Sequence, residues 1–183
     1  IYAELYVYVD NRNDQGHSLD VVLTDPSIEM NHTVFSGNSA AFGGAMALDG
    51  VPARLRNVTM NQNSAEDAGG ALTLTGVSVV QVIGGTFHRN DARSGGALMI
   101  GERSVVHCLG CVFSRNTALE EGGGISIVSI FLSPQPIVFQ CDGCLIQRNS
   151  ARFGGKSIKF VHFYGSVAGG LHFNHSVGTN FLK

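Results

Sequence analysis

The chain has 183 residues, a formal net charge of −2 and only 14% charged residues. Such a balanced charge argues against a nucleic-acid-binding protein, because those proteins present clustered basic residues to the phosphates. The most apolar stretch, residues 124–132, is too short to cross a bilayer. We therefore predict no nucleic-acid partner and no transmembrane span in this segment.

The first 34 residues read as short strands without a repeating pattern. The chain begins in a strand-like run, IYAELYVYV, without an initiator Met, and further apolar runs follow at residues 21–23 and 28–34. Short runs in which apolar and polar residues alternate are typical of β-strands. We predict an irregular structure here that leads into a regular one at residue 35.

Residues 35–160 contain five copies of one pattern, in which an apolar residue is followed three positions later by Asn and then by Gly-Gly. The Asn residues follow one another after 25, 27, 26 and 33 residues. Self-similarity at this period is typical of a solenoid or a propeller, but a propeller blade needs about 40 residues. Each repeat reads as three short strands, and no stretch has a convincing helical period.

The repeat therefore predicts an all-β fold, a single-stranded right-handed parallel β-helix with about six to seven coils of about 25 residues. Residues 1–34 would form the irregular first coil or coils, residues 35–160 the five regular repeats, and residues 161–183 a degenerate last coil. Solenoids need atypical caps that cover the open core at both ends. Since neither end shows one, we expect residues 1–183 to be one β-helix segment of a longer protein.

Stacked coils bring residues of equal phase about 4.8 Å apart, so recurring residue types form columns along the axis. The repeat Asn side chains are expected to form an amide ladder, and the apolar residues before them an interior column. The alternative is that Asn and Gly merely mark turns. The ladder consists of Asn38, Asn63, Asn90, Asn116 and Asn149, and the apolar column of Phe35, Met60, Phe87, Phe113 and Ile146.

Small, uncharged residues follow each Gly-Gly, and we predict that they face outward as a flat strip. A smooth apolar strip indicates packing against another chain or another copy of this one. The alternative is that small residues merely fit a tight coil. This small-residue strip consists of Ala45, Ala47, Ala71, Thr73, Ala97, Met99, Gly124 and Ser126.

The pattern F-x-x-N followed by G-G-A and an aliphatic residue resembles the repeat of the chlamydial polymorphic outer-membrane proteins and of similar large surface proteins of algae and protists. FSGNSAAFGGAMAL is a close match, and the resemblance covers roughly residues 35–160. It implies a right-handed β-helix used as an extracellular stalk or adhesive rod, and it defines no catalytic residues. Met60, Ile146 and Lys156 depart from the pattern without threatening the fold.

The four cysteines form two C-x-x-C pairs of equal phase, Cys108 with Cys111 and Cys141 with Cys144. Stacking at about 4.8 Å lies inside the Cα separation of disulfides, so we predict the bridges Cys108–Cys141 and Cys111–Cys144 and an oxidising compartment. Reduced thiols and a zinc site, which the spacing also fits, are the alternatives. Asn31, Asn57 and Asn174 begin N-x-S/T sequons that would be glycosylated in a secreted eukaryotic protein.

Arg89, Arg115 and Arg148 each precede a ladder Asn and should stack on three successive coils. This arginine column would either bind a polyanionic glycan or pair with acidic corner residues, and pairing is the expectation. The acidic corner residues are Glu66, Asp67, Asp91, Glu120 and Glu121.

We conclude from the sequence that this is a non-catalytic structural or adhesive rod of a large extracellular or cell-surface, filament-forming glycoprotein, which assembles with other chains or with itself. It needs no cofactor or metal, since the seven His residues share no phase and have no metal-ligand spacing. Each His is expected to lie solvated on the surface. The alternative is a carbohydrate-binding or polysaccharide-degrading β-helix, which would need clustered carboxylates on one sheet face.

Overall fold

The structure, a computed structural model, describes residues 28–101, 103–129, 137–162, 171–174 and 177–178. Most of the predicted irregular first part and of the degenerate last coil therefore lies outside the described residues. Every regular element that the structure describes is a β-strand, and the strands follow one another in circuits of four.

The four strands of each circuit belong to four different parallel sheets, A to D, which run along the axis. Sheet A contains β1 (Ile28–Asn31), β5 (Ala53–Arg56), β9 (Val79–Ile83), β13 (Val105–Leu109), β17 (Val138–Asp142) and β21 (Leu171–Asn174). Sheet B contains β2 (Val34–Ser36), β6 (Thr59–Asn61), β10 (Thr86–His88), β14 (Val112–Ser114), β18 (Leu145–Gln147) and β22 (Val177–Gly178). Sheet C contains β3 (Ser39–Phe42), β7 (Ser64–Ala68), β11 (Asp91–Ser94), β15 (Thr117–Glu121) and β19 (Ser150–Ala151). Sheet D contains β4 (Met46–Asp49), β8 (Leu72–Thr75), β12 (Leu98–Ile100), β16 (Ile125–Ser129) and β20 (Ile158–His162).

This architecture is a parallel β-solenoid, as the repeat predicts. Four full turns separate Asn38 from Asn149, with steps of 25, 27, 26 and 33 residues. The described residues form five circuits and two strands of a sixth, slightly fewer than the predicted six to seven coils. Each circuit has four strands rather than the predicted three, because the residues directly after the ladder Asn form a short strand of their own in sheet C.

The core is built from columns of equal phase, because alternate residues of each strand point into the coil. The predicted apolar column is one of them: Phe35 pairs in register with Met60, and Phe113 with Ile146. Between them, the rings of Phe87 and Phe113 stack with centroids 4.6 Å apart and an interplanar angle of 6°. Such offset contacts between aromatic rings add to the free energy gained from burial.

The corner between sheets B and C is turned by one residue with positive φ, directly before the ladder Asn. Gln62, Arg89, Arg115 and Arg148 hold φ values of 54°, 53°, 55° and 55°, and Gly37 holds the same position in the first circuit with φ 68°. A turn of this kind leaves backbone N–H groups inside the coil, where they need acceptors. The ladder Asn supplies them.

The asparagine ladder joins each coil to the next through both backbone and side chain. The Oδ1 of Asn90 accepts hydrogen bonds from the backbone N and the Nδ2 of Asn63, at 2.9 and 3.1 Å. The Nδ2 of Asn90 donates to the carbonyl oxygen of Met60 at 2.9 Å and to the Oδ1 of Asn116 at 3.0 Å. The same hydrogen bonds recur between neighbouring coils from Asn38 to Asn149. At this corner the side-chain amides therefore link the coils in the way that backbone amides link paired strands.

The two glycines of each Gly-Gly pair have different reasons to be glycine. The first has positive φ in four of the five pairs; in the last pair the second glycine, Gly155, does. The second glycine packs against the next coil: a Cβ on Gly96 would lie 2.5 Å from the carbonyl oxygen of Thr117 and would overlap the carbonyl oxygen of Gly123. The glycine with positive φ is therefore needed for its conformational freedom. The glycine that packs against the next coil is needed because there is no room for a side chain.

We predict that Asn90→Ala lowers the free energy of unfolding by about 4–6 kcal/mol, measured by urea denaturation. The substitution leaves the buried N–H of Asn63 without its acceptor, at about 1–3 kcal/mol, and removes three further hydrogen bonds at about 1 kcal/mol each. Gln62→Ala, at the exposed neighbouring corner, is the control and should change stability by less than about 1 kcal/mol. Equal effects of the two substitutions would contradict a stabilising role for the ladder.

We predict that Gly96→Ala destabilises by about 3 kcal/mol or more, because its methyl group would overlap backbone atoms that cannot move independently. Gly37→Ala is the matched control: it also alters a corner, but nothing lies within 4 Å of the added Cβ. Its cost comes from positive φ alone and should be about 1 kcal/mol. Thermal unfolding of the two variants would contradict this account if Gly37→Ala were the more destabilised.

Candidate functional site

The small-residue strip is not an exposed face, which corrects the prediction from the sequence. Ala71 and Ala97 belong to the core, and a Cβ on Gly124 would lie 3.1 Å from the Nδ2 of Asn149. These three residues and Ala45, which is aligned with Ala71 and packs against the core, line the interior beside the asparagine ladder.

The other four strip residues point away from the core, but glycine turns pack onto two of them, Thr73 and Ser126. Thr73 and Ser126 are only 3% and 0% exposed, Met99 is half-buried, and Ala47 is exposed. A Cβ on Gly122 would lie 2.9 Å from the Cβ of Ser126. Thr73 and Ser126 are therefore small because they support a tight turn, and the prediction that the strip is a flat, outward-facing surface is wrong.

The four cysteines form one buried cluster at the corner between sheets A and B, and all four are free thiols in the structure. Cys108 and Cys141 are register partners on β13 and β17. In each C-x-x-C pair a glycine with positive φ, Gly110 or Gly143, turns the corner and directs both thiols inward. One coil earlier, Val82 and Gly85 hold the positions of the two cysteines. A Cβ added to Gly85 would lie 2.6 Å from the Cγ1 of Val82, so side chains at these two positions approach each other closely.

Two of the thiols donate to backbone carbonyls of the neighbouring coil: the Sγ of Cys111 lies 3.3 Å from the oxygen of Val82, and the Sγ of Cys144 lies 3.6 Å from that of Cys108. Hydrogen bonds from Cys111 and Cys141 lower the pKa of Cys144. Burial raises the pKa of Cys141, and hydrogen bonding to Cys108 and Cys144 raises that of Cys111. Cys144 is therefore the thiol of the cluster that loses its proton most readily.

The zinc alternative finds no support in the arrangement of this cluster. Among the described residues, no group of three or more His, Cys, Asp or Glu side chains is placed to hold a metal ion. Tetrahedral zinc needs four thiolates at about 2.3 Å from one point. Cys108 and Cys141 are adjacent in register, but all four cysteines are free thiols in the structure. The two disulfides therefore stay predictions.

His107 is a buried residue that the sequence did not single out. It lies on the outer face of sheet A, only 7% exposed, and its Nε2 is 3.0 Å from the Oδ2 of Asp142. The Nε2 of Gln140 donates to the same carboxylate oxygen at 2.7 Å. The expectation of a solvated surface His is therefore wrong here. Only the register of β13 with β17 brings the three side chains together, and no local motif could reveal it.

The arginine column is present, but three of its five expected acidic partners are engaged elsewhere. Asp67 pairs with Arg93 at 3.4 Å and Glu121 with Lys159 at 3.6 Å, whereas Asp91 accepts a hydrogen bond from Ser64. In the part of the chain that the structure describes, no carboxylate lies within ion-pair distance of Arg89, Arg115 or Arg148. The expectation that the acidic corner neutralises this column is wrong.

Two of the three sequon asparagines have described side chains, and both are accessible. Asn31 is exposed at the end of β1, and Asn57 is exposed at a corner with φ 50°. The amide of Asn57 lies 3.2 Å from the Nε2 of His32. Asn174 ends β21, and its side chain lies outside what the structure describes. Glycosylation itself stays a prediction.

Comparison with known proteins supports the resemblance of the repeat. The model of the Chlamydia polymorphic membrane protein (Chlamydia_PMP) repeat matches residues 110–128, from the corner after β13 through most of β16. Comparison with curated proteins and with solved structures found no match to the chain. Among the described residues, no helix is long and apolar enough to cross a membrane. The chain is therefore a β-solenoid in which residues 110–128 are similar to the repeat of the Chlamydia polymorphic membrane proteins.

Proposed function

We propose that this chain is a non-catalytic structural or adhesive rod of a cell-surface protein. The observation that carries the proposal is the parallel stacking of all four sheets along the axis over a continuous core, with register shifts confined to sheet C. Each coil adds about 4.8 Å of length, and every coil depends only on its neighbours, so such a fold extends by repetition. The match to a repeat of chlamydial surface proteins supports a surface location.

The alternative, a polysaccharide-degrading β-helix, would need two carboxylates facing one substrate from the same sheet. Glu121 and Asp67 both belong to sheet C, yet each is held by a cation, Lys159 and Arg93 respectively. Asp142 is held by His107 and Gln140 on sheet A. These pairings support a structural use of the carboxylates, and they favour the rod over the hydrolase.

We predict that antibodies raised against the chain label intact cells of the source organism without permeabilisation, and that beads coated with the chain bind to those cells. Heat-denatured protein on the beads is the control for adhesion. We also expect no turnover of pectin or alginate. Turnover that is lost in Glu121→Gln and kept in Glu66→Gln would support the enzyme instead.

We further propose that the cysteine cluster is oxidised to the disulfides Cys108–Cys141 and Cys111–Cys144 outside the cell. Oxidised glutathione, or another small disulfide, would supply the oxidising equivalents. The thiolate of Cys144 attacks one sulfur and releases one glutathione thiol; the thiol of Cys111 then displaces the second glutathione. Two such rounds oxidise the four thiols and release four glutathione thiols.

We predict that a tryptic digest of the oxidised protein links two peptides, residues 104–115 and residues 116–148, because cleavage after Arg103, Arg115 and Arg148 separates the two C-x-x-C pairs. Fragmentation of the linked peptides then identifies the partner of each cysteine. Separate peptides with a disulfide inside each C-x-x-C would contradict the inter-coil pairing. Four free thiols after exposure to oxidised glutathione would contradict oxidation of the cluster.

A further inference from the structure

We infer that the arginine column, Arg89, Arg115 and Arg148, is a binding track for a linear acidic polysaccharide that carries sulfate or carboxylate groups. The inference names the ligand class and the side chains that would hold it. It depends on the proposed function in one respect only: a rod at the cell surface would meet such a glycan there.

The three arginines occupy one line on successive coils. His88 pairs in register with Ser114, and Ser114 with Gln147, so the arginines that follow these residues share one phase. The backbone N of Arg89 donates to the carbonyl of Ser114, and that of Arg115 to the carbonyl of Gln147, both at 3.2 Å. With neighbouring strands about 4.8 Å apart, the line extends over about 10 Å along the axis.

All three side chains leave the coil at a positive-φ corner and are exposed. Like charges at this spacing repel each other, and water screens them only in part. None has a carboxylate within ion-pair distance among the described residues. Burial lowers the pKa of His88, and the charges of Arg89 and Arg115 lower it further, so the positive field reaches the adjoining sheet. An external anion would relieve this repulsion.

The rows on both sides of the column carry neutral hydrogen-bonding groups. Asn61, His88, Ser114 and Gln147 precede it on sheet B, and Ser64, Thr117 and Ser150 follow it on sheet C. Asp91 is the one carboxylate in these two rows of described residues. Anionic groups spaced along a chain that also bears many hydroxyls are the chemistry of an acidic polysaccharide.

A single-stranded nucleic acid fits this surface less well than an acidic polysaccharide. Proteins that bind single strands without sequence preference stack the bases on aromatic side chains. The two rows that border the column contain no Phe, Tyr or Trp among the described residues. The column would therefore recognise a polymer by its anionic charges and its hydroxyl groups. Stacking of bases on aromatic side chains would contribute nothing to this binding.

The test compares two triple variants of the whole 183-residue chain that lose the same charge. Arg89→Gln, Arg115→Gln and Arg148→Gln remove the column, and the native Gln62 shows that glutamine is tolerated at this corner, with φ 54°. Arg93→Gln, Arg103→Gln and Arg152→Gln remove three exposed arginines elsewhere and serve as the control. Circular dichroism and urea denaturation verify that both variants are folded.

Binding is measured by isothermal titration calorimetry with heparin, alginate, single-stranded DNA and sodium sulfate as probes, over a series of salt concentrations. We expect the column variant to lose about tenfold or more in affinity for heparin or alginate, with a shallower dependence on salt. The control variant should stay within about threefold of the natural chain, and sulfate alone should bind far more weakly than the polymers.

Three outcomes would overturn the inference. Equal losses in both variants would mean that net charge alone attracts the polymer. DNA bound as tightly as heparin would remove the preference for a glycan. If the natural chain bound neither heparin nor alginate, the arginine column would not be a binding site. None of these results affects surface labelling or cell adhesion, so failure of the track is distinguishable from failure of the proposed rod.

Discussion

The hydrogen-bonded asparagine ladder is the interaction on which the rest of the solenoid depends. Between sheets B and C the chain must turn sharply, and the turn leaves backbone N–H groups of Asn63, Asn90 and Asn116 pointing into the coil. Water cannot reach them there. Only a short amide side chain, aligned from coil to coil, both accepts from these groups and donates onward. This requirement fixes the phase of every repeat, even across the 33-residue step.

The sequence predicted those parts of the fold that recur at a fixed phase. The ladder, the apolar column and the adjacency of the cysteine pairs all follow from aligning the five repeats, and the register of the strands bears out that alignment. The repeat is also the part that matches the chlamydial family model, at residues 110–128. Phase alone is sufficient here because in-register parallel stacking carries each residue type directly onto its equivalent.

Features that depend on the corners could not be predicted in the same way. The outward direction of the small-residue strip was inferred from period-two alternation, which holds only along an extended strand. Ala71 and Ala97 lie at the end of a glycine turn, where the alternation is interrupted, so they point inward. The burial of Ser126 results from a turn folding over it, and this is a contact in space that no pattern of residue types reports.

The same stacking that orders the interior also repeats whatever lies outside. An ionic side chain on one coil stands about 4.8 Å from its equivalent on the next, so repulsion accumulates along a column unless counter-charges recur with the same phase. In sheet C and at its corner with sheet D, carboxylates neutralise the cations: Asp67 pairs with Arg93, and Glu121 pairs with Lys159. The arginine column has no such offset among the described residues. Three arginines in one line, without an ion pair among the described residues, therefore leave a repulsion that a counter-charge from outside the chain would relieve.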